Sequence, residues 1–295
     1  MLVVILEGRT LSQKIQENVK SKVDFLKNKI GKAPHLCVVL VGEDKASQVY
    51  VRNKELACQK VGLQSSVKHF PATISNQDLK KILQDLNDDS SVDAVLVQLP
   101  LPKGLDAKLV QSELSYTKDA DALTYVSMGR LFSGSFSWKT SVAACTPSGV
   151  MKILEEHKIP LAGKKAVVVG RSSIVGKPMA HLLLQADCTV TICHSRTENT
   201  RQFTQAADIV VVAAGQRRLL GREDFKQGAV VIDVGIHGSG QGQGLAGDVR
   251  FEELEGWVHG ATPVPGGVGP LTIAMLLENT CKLVFEKQGL NYADH

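Results

Sequence analysis

The 295-residue chain has no apolar run approaching 18 residues, so its sequence offers no membrane span. Its opening stretch, Leu2-Val3-Val4-Ile5-Leu6, stops at Glu7 and Arg9. Lacking a basic leader and a small-residue cleavage site, it reads as a strand and not as a signal peptide. The six cysteines (37, 58, 145, 188, 193, 281) contain no C-x-x-C pair. That argues against a disulfide framework and for reduced thiols in a cytosolic or organelle-matrix protein. The eight histidines show no metal-ligand spacing, and no metal is expected. Lysines and arginines are dispersed and the net charge is only +4, so there is no nucleic-acid footprint, though anionic substrates are compatible. No internal repeat is evident. What is present, 43% hydrophobic and 22% charged residues, suits a globular protein of two domains, each able to bury a core.

Strand-like and helix-like segments alternate along the chain. Strands are expected at 36–41, 66–70, 93–97, 165–169, 188–193, 208–213 and 229–233. Helices are expected at 46–61, ending at Gly62, at 76–88 with Asn76 or Ser75 as cap, at 105–114, 148–157, 179–186 and 199–206, and as a long last helix at 271–287. Such alternation implies βαβ units and α/β architecture with parallel sheets. The pattern lapses at 129–147, which reads as a loop and a crossing between domains, and a Gly-rich excursion occupies 238–247.

The most informative segment is 166–178. The run Ala166-Val167-Val168-Val169 stops at Gly170, and Gly176 and Pro178 open a helix. A strand, a tight turn and a helix N-terminus offer free backbone N–H groups to a phosphate. The usual G-x-G-x-x-G turn is absent: Ser172 stands at the middle glycine. Also absent is the acid that would end the next strand and hold a ribose 2′-hydroxyl; His194-Ser195-Arg196 stands there instead. Arg171, Ser195 and Arg196 offer cations and a hydroxyl to a 2′-phosphate, which points to NADP. Arg171 or Arg196 as a plain surface arginine is the alternative.

Four further segments end in residues that a core does not need. Tyr50 and Lys54 are four apart on one helix, so a ring and an ammonium share a face; an amine in a partly desolvated pocket can exchange protons near neutrality. The alternative is a solvated lysine on an amphipathic helix. Gln98 ends a buried strand, where open α/β sheets put ligand groups, or where an ordinary turn begins. The pair Asp119 and Asp121 either binds ligand N–H groups or caps the next turn. The loop 262–270 packs three prolines and three glycines into nine residues, a shaped backbone more than a flexible linker.

Ser47-x-x-Tyr50-x-x-x-Lys54, Val97-Gln98-Leu99-Pro100-Leu101-Pro102, Lys118-Asp119-x-Asp121, Cys145-Thr146-Pro147, the 170–178 turn, Gly247-Asp248-Val249 and the 262–270 loop occur together and in order. In this the chain resembles the bifunctional methylenetetrahydrofolate dehydrogenase/methenyltetrahydrofolate cyclohydrolase family over essentially its whole length. The resemblance implies two α/β domains flanking a cleft: 1–147 plus 273–295 as the folate-binding catalytic domain, and 148–272 as a Rossmann-like NADP-binding domain with a parallel sheet. It implies NADP-dependent oxidation of 5,10-methylenetetrahydrofolate and hydrolysis of the methenyl product to 10-formyltetrahydrofolate, in one-carbon metabolism and purine biosynthesis. It implies a cytoplasmic homodimer without nucleic-acid or membrane partners.

By position, Lys54 resembles the family's catalytic lysine, Gln98 its hydrogen-bond partner, Tyr50 the ring stacking on folate and Asp121 the anchor of the pterin. Leu99, Pro265 and Gly266 fall at substrate-binding positions. Gly170, Arg171, Ser172, Ile174, His194, Ser195, Ile236 and Thr272 fall at cofactor-binding ones. Three positions depart from the family pattern: Ala122 for Gly, Ser127 for Asn and Ala144 for Pro. Two other readings stay open at this point, a different oxidoreductase on the same architecture, such as an amino-acid dehydrogenase, and a non-catalytic folate- or nucleotide-binding relative.

Overall fold

The computed structural model describes residues 3–133, 137–238 and 244–294. Leu2 of the expected first strand, residues 134–136 of the expected 129–147 loop and 239–243 of the Gly-rich excursion lie outside the described residues. The elements in the first half are β1 (Val4–Ile5), α1 (Arg9–Ile30), β2 (His35–Val41), α2 (Lys45–Val61), β3 (Gln64–Phe70), α3 (Asn76–Asp88), β4 (Ala94–Val97), α4 (Lys108–Glu113) and α5 (Tyr125–Phe132). In the second half they are α6 (Cys145–Glu156), β5 (Lys165–Val169), α7 (Gly176–Gln185), β6 (Thr189–Cys193), α8 (Thr200–Thr204), β7 (Ile209–Val212), β8 (Val230–Asp233), β9 (Gly260–Ala261) and α9 (Val268–Lys287).

The chain forms two compact units, one of Lys14–Ala143 with Ile273–His295, the other of Met1–Gln13 with Ala144–Thr272. In the first, a three-stranded parallel sheet has the order β3-β2-β4. Its centre, β2, is buried at every position and apolar from Leu36 to Val41, as a strand covered on both faces must be. Leu79, Leu83 and Leu86 of α3 pack on Val39, Val95 and Val97 of the sheet. Helix α3 starts where Ser75 and Asp78 form a reciprocal capping box. Helix α2 is capped by Asp44, whose side chain accepts the Ser47 N–H, and ends at left-handed Gly62.

In the second unit a six-stranded parallel sheet has the order β6-β5-β7-β8-β9-β1. From β5 onward this is the doubly wound order 2-1-3-4-5, whose direction reverses between β5 and β7. Val167, Val169, Val210, Val212 and Val231 form its core with Phe225 and Leu254.

Several expectations are corrected. Residues 1–13 join the second unit, not the first, because β1 pairs with β9: Val4 N donates to His259 O and Leu6 N to Ala261 O. The helix expected at 105–114 shortens to α4, since Asp106 is pinned in a turn by Asn76 Oδ1 and accepts the Lys108 N–H. Helix α5 enters the expected 129–147 loop, started by Thr124, whose Oγ1 accepts the Ser127 N–H, and α6 begins at Cys145 rather than 148. Helix α1 and strand β9 have no counterpart among the expectations. Helix α9 is long and apolar enough to cross a membrane by length and composition, but 78% of its apolar window is buried in the protein.

Candidate active site

Helix α2 buries the stripe Ser47, Val51, Lys54, Cys58 and Val61. Lys54 therefore points inward and is 9% exposed, which rejects the solvated lysine. Its Nζ donates to Gln98 Oε1 at 2.8 Å. Gln98 directly follows β4, its main chain held by Val39 O and its Nε2 donating to Leu99 O at 2.6 Å. With the amide nitrogen engaged on Leu99, the amide oxygen faces the ammonium. Tyr50, one turn before Lys54, stands 41% exposed.

The 118–127 segment separates its two acids. Asp119 is buried and accepts the Leu123 N–H at 3.0 Å, the Thr124 N–H at 2.8 Å and the Ser127 hydroxyl at 2.7 Å. It is the capping acid of the two open readings, and Asp121 is half-buried beside it. Lys118 is buried with its ammonium on Leu86 O and Asp89 O; burial and the neighbouring Lys287 lower its pKa. Ala122 has φ +54, a left-handed conformation that glycine adopts freely and alanine at about 1–2 kcal/mol. Ser127, at the other departure from the family pattern, supplies one donor to the Asp119 cage that holds this turn.

In the second unit a cavity of about 510 Å³ opens past the carboxyl ends of β5, β6 and β7. It sits at the point where the strand order reverses, the place where open α/β sheets bind ligands. Gly170, Arg171, Ser172, His194 and Ser195 line it, five of the eight expected cofactor residues. Ile174, Ile236 and Thr272 do not. Ile174 and Ile236 are exposed, and Thr272 shares a hydroxyl contact of 3.0 Å with Thr146. Arg196 is also absent from the wall; its N–H donates to His194 Nδ1.

The turn is built for close approach. A Cβ on Gly170 would lie 2.2 Å from Ala213 O, and one on Gly176 would lie 2.3 Å from Gly170 O. The expected free amides at the helix start are in part taken, because Ser172 Oγ accepts the N–H of Val175 and of Gly176, both at 3.2 Å. A serine before a helix competes for those donors in this way. An exposed arginine, a histidine and a serine around a glycine turn fit a phosphorylated nucleotide. Thr197, Thr200, Ala213, Ala214 and Gln216 also line the wall and were missed from sequence. The end of the third strand, Val212-Ala213-Ala214-Gly215, was the signal available for the last three.

Pro265 and Gly266 lie on the 262–270 loop of this same unit. Gly8 N donates to Gly266 O at 2.8 Å, Gly267 N to Pro263 O at 2.8 Å and Ser12 Oγ to Pro270 O at 3.0 Å. The loop is thus pinned backbone, with Pro265 exposed and Gly266 buried.

Comparison with known proteins gives a consistent result. Residues 6–121 match the family described as tetrahydrofolate dehydrogenase/cyclohydrolase, catalytic domain, and residues 144–288 match its NAD(P)-binding domain. The Bifunctional protein FolD of Bdellovibrio bacteriovorus is 56% identical over 97% of this chain and 98% of its own. Among solved structures, the bifunctional methylenetetrahydrofolate dehydrogenase/cyclohydrolase of Campylobacter jejuni is 44% identical, with a TM-score of 0.92 over 97% of this chain and 99% of its own. The Trypanosoma brucei methylenetetrahydrofolate dehydrogenase-cyclohydrolase, complexed with NADP cofactor and inhibitor, is 36% identical, with a TM-score of 0.92 over 98% of this chain and 99% of its own.

Proposed function

The chain belongs to the tetrahydrofolate dehydrogenase/cyclohydrolase family, and from that premise we propose how its residues divide the work of a bifunctional, NADP-dependent enzyme. It oxidises 5,10-methylenetetrahydrofolate to the methenyl compound and hydrolyses that to 10-formyltetrahydrofolate. NADP, when bound, supplies the hydride acceptor. The residues that would hold it are Gly170, Arg171, Ser172, His194 and Ser195 at the strand ends, with Ile174, Ile236 and Thr272 as further contacts. Glycine at 170 and 176 keeps side chains out of the turn, and the Arg171 guanidinium would pair with the 2′-phosphate.

The observation that carries the reading is the Lys54 ammonium, buried and held at 2.8 Å by Gln98. We assign Lys54 to the one-carbon unit of the folate. In the hydrolysis, water adds to the methenyl carbon and the bond from that carbon to N5 breaks. One proton of the water ends on N5 and the other is released. Lys54 relays the first, and Gln98 keeps the amine aimed while the reaction proceeds. Tyr50 offers an exposed ring for stacking, Asp121 accepts pterin N–H groups, and Leu99, Pro265 and Gly266 contact the substrate. Lys54→Met should lower hydrolysis of methenyltetrahydrofolate by roughly 10²–10⁴-fold while NADP still binds. Wild-type hydrolysis in the variant would refute the assignment.

The same reading extends to a homodimer formed through the nucleotide unit, where Leu184 and Ile192 stand exposed, and to the cytoplasm, which suits six free, buried cysteines. Sedimentation at micromolar concentration tests the first, and a monomer would refute it.

A further inference from the structure

Behind the 213–216 wall of the nucleotide pocket lie two buried carboxylates to which the proposed reaction gives no part. Asp248 is fully buried, and its Oδ2 accepts the N–H of Ala214 at 2.7 Å and of Gly215 at 2.9 Å. These are the residues just past β7, and Ala213, Ala214 and Gln216 line the pocket. Its other oxygen, Oδ1, lies 2.6 Å from His237 Nε2. A carboxylate only accepts, so the imidazole donates through Nε2.

Asp233, at the end of β8, fixes the backbone beneath. Its Oδ1 accepts the N–H of Gly235 at 2.9 Å and of Asp248 at 3.0 Å, and its Oδ2 that of Val249 at 2.9 Å. His237 is held in turn by two main-chain bonds with Ala246, at 2.8 and 3.1 Å. Three side chains thus connect β8, the 246–249 segment and the pocket wall. Without the imidazole, Oδ1 would be a buried charged oxygen stripped of that donor. The carboxylate would then be free to turn toward another donor, which loosens its hold on both wall amides.

Resting on the nucleotide pocket assigned above, we propose that His237 is a positioning residue for NADP binding, acting through Asp248 on the 213–216 wall. It touches no reacting atom. Its effect reaches cofactor affinity and leaves the folate steps with their own residues.

The test is direct titration of NADP onto His237→Ala, His237→Gln and wild type, with melting temperature and steady-state kinetics alongside. Gln keeps an N–H donor at about the reach of Nε2. A hydrogen bond to a charged group predicts that His237→Ala raises the NADP Kd about tenfold. The KM for methylenetetrahydrofolate and kcat at saturation should stay within about twofold, the split expected when one ligand's ground-state binding is weakened. His237→Gln should recover most of the lost NADP affinity. An unchanged Kd, an equal loss for both substrates, or a Gln variant as weak as the Ala variant would each overturn the role. Arg171→Ala, titrated in parallel, separates the two levels. An unchanged NADP Kd there would displace the pocket itself, and the proposal with it; a normal loss there with no effect at His237 would overturn the positioning role alone.

Discussion

Replacing Gly170 by alanine tests the nucleotide turn most severely. Gly170 has φ +135, where an L side chain is strained by about 1–3 kcal/mol. The added methyl would lie 2.2 Å from Ala213 O and 2.9 Å from Ala213 C, against ordinary contact at 3.4–4 Å. The carbonyl cannot simply swing aside. Ala213 N donates to Val169 O at 2.8 Å, and Gly170 N to Cys193 O at 2.8 Å, so all three strand ends are tied together. Relieving the clash means moving one strand end against another, an overpacking cost of about 1–3 kcal/mol. Together these come to about 2–6 kcal/mol, a large share of the roughly 5–15 kcal/mol of a typical fold. The variant should fold at low temperature, unfold at markedly lower urea, and bind NADP weakly because the turn has moved. Urea unfolding without cofactor and calorimetric titration of NADP measure the two effects separately. At a hundredfold excess over its Kd, NADP should add about 2.7 kcal/mol of stability to wild type, and clearly less to the variant at the same concentration. A variant within about 0.5 kcal/mol of wild type, the ordinary range of a surface substitution, would show that the turn has room, and the argument from close approach would fail.

Arg171→Ala should raise the KM for NADP by roughly 10- to 100-fold, the value of a charge-assisted hydrogen bond, and that for NAD far less; equal effects would remove Arg171 from the 2′-phosphate. Asp121→Asn should raise the KM for methylenetetrahydrofolate with little change in melting temperature, because it presents a donor where the pterin needs an acceptor; unchanged kinetics would place Asp121 outside the site. Burial pushes the Asp233 carboxyl up to about 6, against backbone N–H groups that favour its charge. An acid raised on folding adds stability that is complete below its ordinary value near 4 and is lost as pH rises through about 6, here by at most about 3 kcal/mol. Urea unfolding of wild type across that window should show this decline, and Asp233→Asn should lack it; parallel profiles would assign the dependence to other groups.

What was legible in the sequence was local. The strand stopping at Gly170, the cap at Ser75 and the end of α2 at Gly62 follow from interactions within a few residues, and their residue types announce them. Helix α1 carried a usable signal, with Leu11, Ile15, Val19, Val23 and Leu26 on one buried stripe among charges. Strand β9 carried none, since two residues become a strand only because β1 and β8 arrive on either side of them. The candidate site divides along the same line. Lys54 and Gln98 were recognisable as residue types, but their 2.8 Å contact spans 44 positions and needs the packing of α2 against the end of β4. Ser172 was read as a substitute for a glycine, while its hydroxyl takes the helix-start amides that a phosphate would otherwise meet. The far wall of the cavity follows from strand order and not from composition. Once β7 is known to lie beside β5, the residues after Val212 must face those after Val169, and the crevice belongs between them. Ala122 shows the limit from the other side. Residue preference argues against alanine in a left-handed turn, and it is held there by Asp119, Thr124 and Ser127 acting together, a cage visible only when three hydrogen bonds are seen to end on one carboxylate.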